Sequence, residues 1–170
     1  SSGLGLHEEA ALAVWEAAAR CDEAALLAWL DSDGQVNATG GVGNASGITA
    51  VMLAAGHGHE RVVELLVQHG AETNLQASNG LTALMGAASQ GHPAVVLRLL
   101  RAGADTTART ESGRTALQHA KENGHAECVR ILEEHAAAEA EAEAAAREAV
   151  RAAAEAEATR HAEALLAGEE

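Results

Sequence analysis

Nine histidines and two cysteines are the side chains best suited to chemistry in this chain of 170 residues. His57 and His59 stand one residue apart and could suggest a metal, but a zinc site needs three or four converging ligands. His59, His92 and His125 each follow a glycine at the same place in a recurring pattern, which gives them a structural role instead. His57 and His69 are left as surface or rim residues with no evident partner. Cys21 has Asp22 beside it and Cys128 sits in an aliphatic stretch, so neither has the basic setting that activates a thiol. The cluster Gly40-Gly41-Val42-Gly43-Asn44-Ala45-Ser46-Gly47 invites a phosphate-loop reading, yet it lacks the Gly-Lys-Ser/Thr step, and the only lysine is Lys121. No serine stands with His and Asp in a nucleophile-elbow pattern. We therefore expect no catalytic residue, no cofactor and no metal: the chain reads as a non-enzyme.

The elements that carry these residues repeat. Gly47, Gly80 and Gly113 are spaced by 33 residues, and their surroundings match position for position: Gly47-Ile48-Thr49-Ala50-Val51, Gly80-Leu81-Thr82-Ala83-Leu84, Gly113-Arg114-Thr115-Ala116-Leu117. Each unit continues to a Gly-His pair (58–59, 91–92, 124–125) and closes on an aliphatic segment. Thr49, Thr82 and Thr115 each precede an apolar-periodic stretch, where a hydroxyl caps the orphan amides of a helix start. The Gly-His step ends that helix, and the aliphatic segment forms an antiparallel second one. Gly70 and Gly103 stop the second helix in the left-handed conformation that glycine adopts at little cost. No unit can bury its own apolar face, so neighbours must stack.

These Gly-x-Thr-Ala-Leu cores, Gly-His steps and Gly-Ala-Asp/Glu loops resemble the ankyrin repeat family, over roughly residues 8 to 135. The resemblance implies an all-α fold, an ankyrin-repeat solenoid of stacked helix-turn-helix units. The family's Thr-Pro-Leu-His becomes Thr-Ala-Val-Met, Thr-Ala-Leu-Met and Thr-Ala-Leu-Gln, putting Met52 and Met85 in as apolar filler. An N-terminal unit aligns at an offset of 37, laying Trp15 over Met52 and Trp29 over Leu66, so both tryptophans are expected in the core. The extra residues fall in the segment 38–46, expected to be a mobile finger.

We accordingly divide the chain into a tag remnant without structure (1–5), an N-terminal capping repeat with a long Gly-rich finger loop (6–45), repeats at 46–78, 79–111 and 112–135, and an extension at 136–170. The extension holds 17 Ala, 9 Glu and 3 Arg, and where Gly70 and Gly103 stop their helices it has Ala136. Such composition has near-maximal helix propensity. One helix from about 126 to 166 is expected, roughly 60 Å long. It is either a solvated spacer or an alanine-lined element that pairs chains, and the scarcity of large apolar residues favours the spacer.

With 25 acidic against 11 basic residues the net charge is −14, which works against nucleic acid and anionic membranes as partners. No apolar run approaches bilayer length. Two cysteines and no evident secretory signal point to a cytoplasmic protein, in which the sequons at Asn37 and Asn44 are chance. What the resemblance implies is a partner protein bound on the concave face made by the turns and first helices. The positions free to serve it are Arg20, Ile48, His57, Ser78, Asn79, Leu81, Ser89, Gln90, Glu111, Ser112, Arg114, Glu122 and Asn123. Self-association through 136–170 is the alternative. The resemblance also places Asn74 at a loop position where some ankyrin proteins accept asparagine hydroxylation, whereas Thr107 at the next equivalent site cannot.

Overall fold

The computed structural model describes residues 6–32, 34–42 and 44–168, so the expected tag remnant, 1–5, lies outside the described residues. The helices are α1 (Leu6–Arg20), α2 (Glu23–Asp31), α3 (Ala50–His57), α4 (Glu60–Gln68), α5 (Ala83–Gln90), α6 (Pro93–Arg101), α7 (Ala116–Glu122) and α8 (Ala126–Ala167). Two strands, β1 (Thr39–Val42) and β2 (Ala45–Thr49), pair as an antiparallel hairpin. The chain falls into two compact units, 1–133 and 134–170.

In the first unit α1, α3, α5 and α7 pack in series as an inner layer, and α2, α4 and α6 follow as an outer one. The threonine caps form as the spacing predicts. Thr49 Oγ1 accepts from the Met52 amide, and Thr82 Oγ1 from that of Met85. Thr115 does the same for Gln118, whose side-chain oxygen accepts from the Thr115 amide in return, closing a capping box. Ala54, Ala55, Ala87 and Ala88 are completely buried and let the inner helices approach closely, while Val62, Val63, Leu66, Val95, Val96 and Leu99 fill the space beneath the outer layer. Each fully buried Leu, Met or Val contributes about 1.5–3 kcal/mol.

The Gly-His step does two jobs. Gly58, Gly91 and Gly124 end their helices at φ 78, 75 and 73°. The histidine that follows donates from Nε2 to a carbonyl at the end of the preceding inner helix: His59 to Ala19 at 2.8 Å, His92 to Gly56 at 3.1 Å, His125 to Ser89 at 2.9 Å. Helix ends leave carbonyls without intrahelical partners, so with Nε2 protonated each ring satisfies one of them and ties two repeats together. The first helix pair departs from this in a way that makes sense. No helix precedes α1 among the described residues, so a histidine there would find no carbonyl. Cys21 occupies the left-handed position at φ 58° and the Asp22 carboxylate caps α2 through the Ala25 amide.

Two sequence expectations need correction. Trp15 is core, 6% exposed, but Trp29 is only half-buried, and Leu26 is the buried residue of α2. The finger at 38–46 holds the β1–β2 hairpin, with Val42 paired to Ala45 and Gly40 against Trp15; a Cβ on Gly40 would fall 1.4 Å from the indole ring. The last repeat differs from the two before it. Gln118 is exposed where Met52 and Met85 are buried, and Lys121 bridges to Glu133 at 2.8 Å beside it.

Helix α8 runs 42 residues, matching the expected span within a residue. In the second unit, every described side chain from Ala136 onward is exposed. What holds this stretch is intrinsic propensity and neighbours one turn apart: His135–Glu139, Arg147–Glu143 at 2.5 Å and Arg151–Glu155 at 2.9 Å.

Candidate functional site

The turns and the inner helices carry the candidate residues, and the turns are laced together by hydrogen bonds. Ser78 donates its amide to the Ser46 carbonyl at 2.8 Å, and its hydroxyl accepts from the Ser46 amide at 3.0 Å. One step on, the Glu111 amide donates to the Asn79 carbonyl at 3.0 Å. Gln76 Nε2 spans the same gap, reaching the carbonyls of Gly80 and Arg109. At the opposite ends of the repeats, Asn37 accepts from the Glu72 amide and Asn74 from the Asp105 amide, while Asn74 Nδ2 donates to Gly103. Asn74 is therefore engaged through both atoms of its amide.

Of the positions named from the sequence, Arg20, His57, Ser78, Asn79, Gln90, Glu111, Ser112, Arg114, Glu122 and Asn123 are exposed. Leu81 and Ser89 are half-buried, Leu81 packing against the core. Ile48 is 6% exposed and belongs to the core, because the hairpin folds it inward, so it offers no surface. Several of the exposed groups already have partners. Asn123 Nδ2 donates to the carbonyl and hydroxyl oxygens of Ser89, and Arg114 bridges to Glu122 at 3.2 Å. His57 keeps Nδ1 on the Leu53 carbonyl at 2.8 Å and stacks its ring on His59, centroids 5.8 Å apart. The inner-helix ends thus present Arg20, His57, Gln90 and Asn123, one from each unit, at corresponding places.

The outer layer carries a different arrangement. Arg61 lies between Glu23 at 3.8 Å and Glu64 at 2.8 Å, and Arg98 bridges to Glu64 at 3.0 Å and Glu60 at 2.7 Å, so ion pairs run across α2, α4 and α6. The hydrogen bond from Arg61, with Arg98 adding its charge, holds the Glu64 carboxyl below its ordinary range. These groups join repeats on their outer side.

Among the described residues no three of His, Cys, Asp and Glu lie close enough to share a metal, and no helix is long and apolar enough to cross a membrane. Cys128 is buried, and burial together with Glu127 pushes its thiol pKa up, away from the reactive thiolate. Cys21 is exposed.

The geometry of threonine-capped helix pairs and inter-repeat histidine ties has a counterpart in known sequences. The family model for three copies of ankyrin repeats matches residues 14–110, and the single ankyrin-repeat model matches 112–143. The chain belongs to the ankyrin-repeat family. A search of curated proteins gives no match. Ankyrin repeats are generally protein–protein interaction modules and typically non-catalytic. The family match begins at Val14, inside α1, so the match takes in the helix pair that carries Trp15 and Cys21.

Proposed function

We propose that these ankyrin repeats bind a partner protein on the face formed by the inner helices and the turns, which is concave in this family. The observation that carries the reading is a division of labour between positions. The threonine caps, left-handed glycines and Gly-His ties recur from repeat to repeat and make the fold. The exposed positions beside them, His57, Gln90 and Asn123 on the helix ends and Ser112 and Arg114 on the last turn, differ from one repeat to the next. A surface freed from the repeating structural demand is where recognition can reside. Because it offers few aromatic or arginine anchors, moderate affinity is expected.

The test is a partner identified by crosslinking with the intact chain, then titrated against Gln90→Arg/Arg114→Glu. Both sites are exposed, so the fold should survive, and binding should weaken at least tenfold. Unaltered binding would rule this face out. Leu81 is unsuitable, since its contact with the core would confuse lost binding with lost stability.

A second reading is self-association through 136–170, favoured by the exposure of Val150, Leu165 and Leu166 at 71%, 61% and 70%. Against it stand ten Glu and only three Arg in residues 134–170, so two copies would repel. Light scattering on the full chain decides it: a dimer mass that Val150→Glu and Leu165→Glu return to monomer would establish pairing.

A further inference from the structure

The last turn differs from the two before it. The Asn79 turn is held from both sides, through Ser78 to Ser46 and through Asn79 to Glu111, and a Cβ on Gly80 would lie 2.8 Å from Thr110 Cα. The 110–114 turn is tied on one side only, by the Glu111 amide and by the Gln76 contact to Arg109. Nothing lies within 4 Å of a Cβ built on Gly113, and Arg109, Glu111, Ser112, Gly113 and Arg114 are all exposed.

Residues 109–114 hold two arginines and one glutamate, Glu111, a net positive segment in an acidic chain. Ser112 has Arg109 three residues before it and Arg114 two after, and no other Ser or Thr in the sequence has Arg or Lys three residues before it. Its hydroxyl touches only that of Thr110, 2.9 Å away, among the contacts of its own turn.

We propose that Ser112 is a phosphorylation site for an arginine-directed serine kinase, and that Arg109 and Arg114 clamp the resulting phosphate. Ser112 Oγ attacks the γ-phosphorus of magnesium-bound ATP. The new O–P bond forms as the bond to the β,γ-bridging oxygen breaks, ADP leaves, and the hydroxyl proton passes to the kinase's base. The product sets nearly two negative charges on the same turn as Arg109 and Arg114, whose guanidinium groups form strong charge-assisted hydrogen bonds with phosphate. It competes with Glu122 for Arg114. The modification would then change the charge pattern of the turn and of the adjoining inner-helix end together. This inference stands apart from the binding reading: the site would exist whichever face a partner uses.

The experiment treats the full chain with Mg-ATP and the catalytic domain of an arginine-directed serine/threonine kinase, with mass spectrometry locating the phosphate. The expected result is one phosphate, at Ser112, absent in Ser112→Ala. Arg109→Ala separates recognition from structure, because Arg109 Nη1 donates to the Gly113 carbonyl at 2.7 Å and helps close the turn. A purely structural arginine would, when removed, loosen the turn and speed the reaction; recognition predicts at least a tenfold slowing, with Arg109→Lys partly restoring it. Phosphate on another hydroxyl, or an unmodified native chain, overturns the proposal. The clamp is read by phosphorus NMR. The phosphoserine's second ionisation should lie below its usual value near 6 and rise in Arg114→Gln; no difference between the two would remove the clamp.

Discussion

Alanine has opposite fates in the two units. In the repeats Ala54, Ala55, Ala87 and Ala88 are fully buried, and their small size is what lets neighbouring inner helices meet. In α8 the alanines from Ala136 onward are all exposed, and nothing packs on them within their unit. The same residue thus stabilises one region by permitting tertiary contact and the other by losing little entropy in a helix. Composition does not distinguish these cases. The neighbours do: buried alanines sit among Val, Leu and Met at helical spacing, exposed ones among Glu and Arg.

The largest effect should come from placing a charge on each kind of alanine. Ala88→Glu puts an unpaired carboxylate between packed helices, a change of at least about 3 kcal/mol that should leave the repeats unfolded at room temperature. Ala145→Glu adds one more solvated carboxylate to α8 and should move stability by no more than about 0.5 kcal/mol. Urea titration followed by circular dichroism reads both. Equal losses would mean that α8 is packed after all.

How much of this was legible beforehand depends on whether a feature repeats. Thr49, Thr82 and Thr115 could be read as caps and Gly70 and Gly103 as helix stops, because each is seen more than once in register. The features that went unread occur once. The hairpin carried its own signal, Gly43-Asn44 between short runs ending in Val42 and beginning at Ala45, but abundant glycine made it look like a loop. Gly40 is there to admit the Trp15 ring, a contact that no local pattern contains. Cys21-Asp22 and Gln118 were visible only as departures from the repeat. Both stand where the described residues offer no neighbour of the kind that Gly-His or Met would meet. Trp29 was misplaced because the alignment at 37 fixes Leu26 over Val63 correctly while, among the described residues, no repeat lies on the other side of the first pair's outer helix. For the candidate surface, ten of the thirteen positions are exposed, Leu81 and Ser89 are half-buried, and Ile48 is core because the hairpin rather than the repeat decides its burial.

That sensitivity to neighbours can be isolated at glycine. Gly91 and Gly124 have nearly the same left-handed backbone, φ 75 and 73°. They differ in what lies beyond: a Cβ on Gly91 would meet the His125 ring at 2.5 Å, while around Gly124 there is nothing within 4 Å. Gly124→Ala should cost the backbone term alone, about 1 kcal/mol. Gly91→Ala adds the displacement of a ring that ties two repeats together, and should cost about 2 kcal/mol or more. If thermal melts show equal losses, the histidine tie contributes nothing and the stack rests on its aliphatic core.

The smallest expected effect concerns charge, and it again divides the units. In the repeats Glu64 is held below the ordinary carboxylate range by the Arg61 hydrogen bond, then by Arg98, and Asp105 by the Thr107 hydroxyl and amide. A carboxyl with a depressed folded pKa binds protons more readily when unfolded. Its stabilising contribution is therefore complete above the unfolded value and is lost as pH falls through the folded one. Melting of the repeats should consequently drop between about pH 5 and 3. Glu64→Gln should flatten part of that fall, by an amount limited by the exposure of the pair. The helicity of residues 136–167 rests chiefly on intrinsic propensity and should persist through the same acid range. A helix signal that falls in parallel with the repeat melt across this range would show that the two units unfold as one, and that the exposed alanines draw their stability from the buried ones.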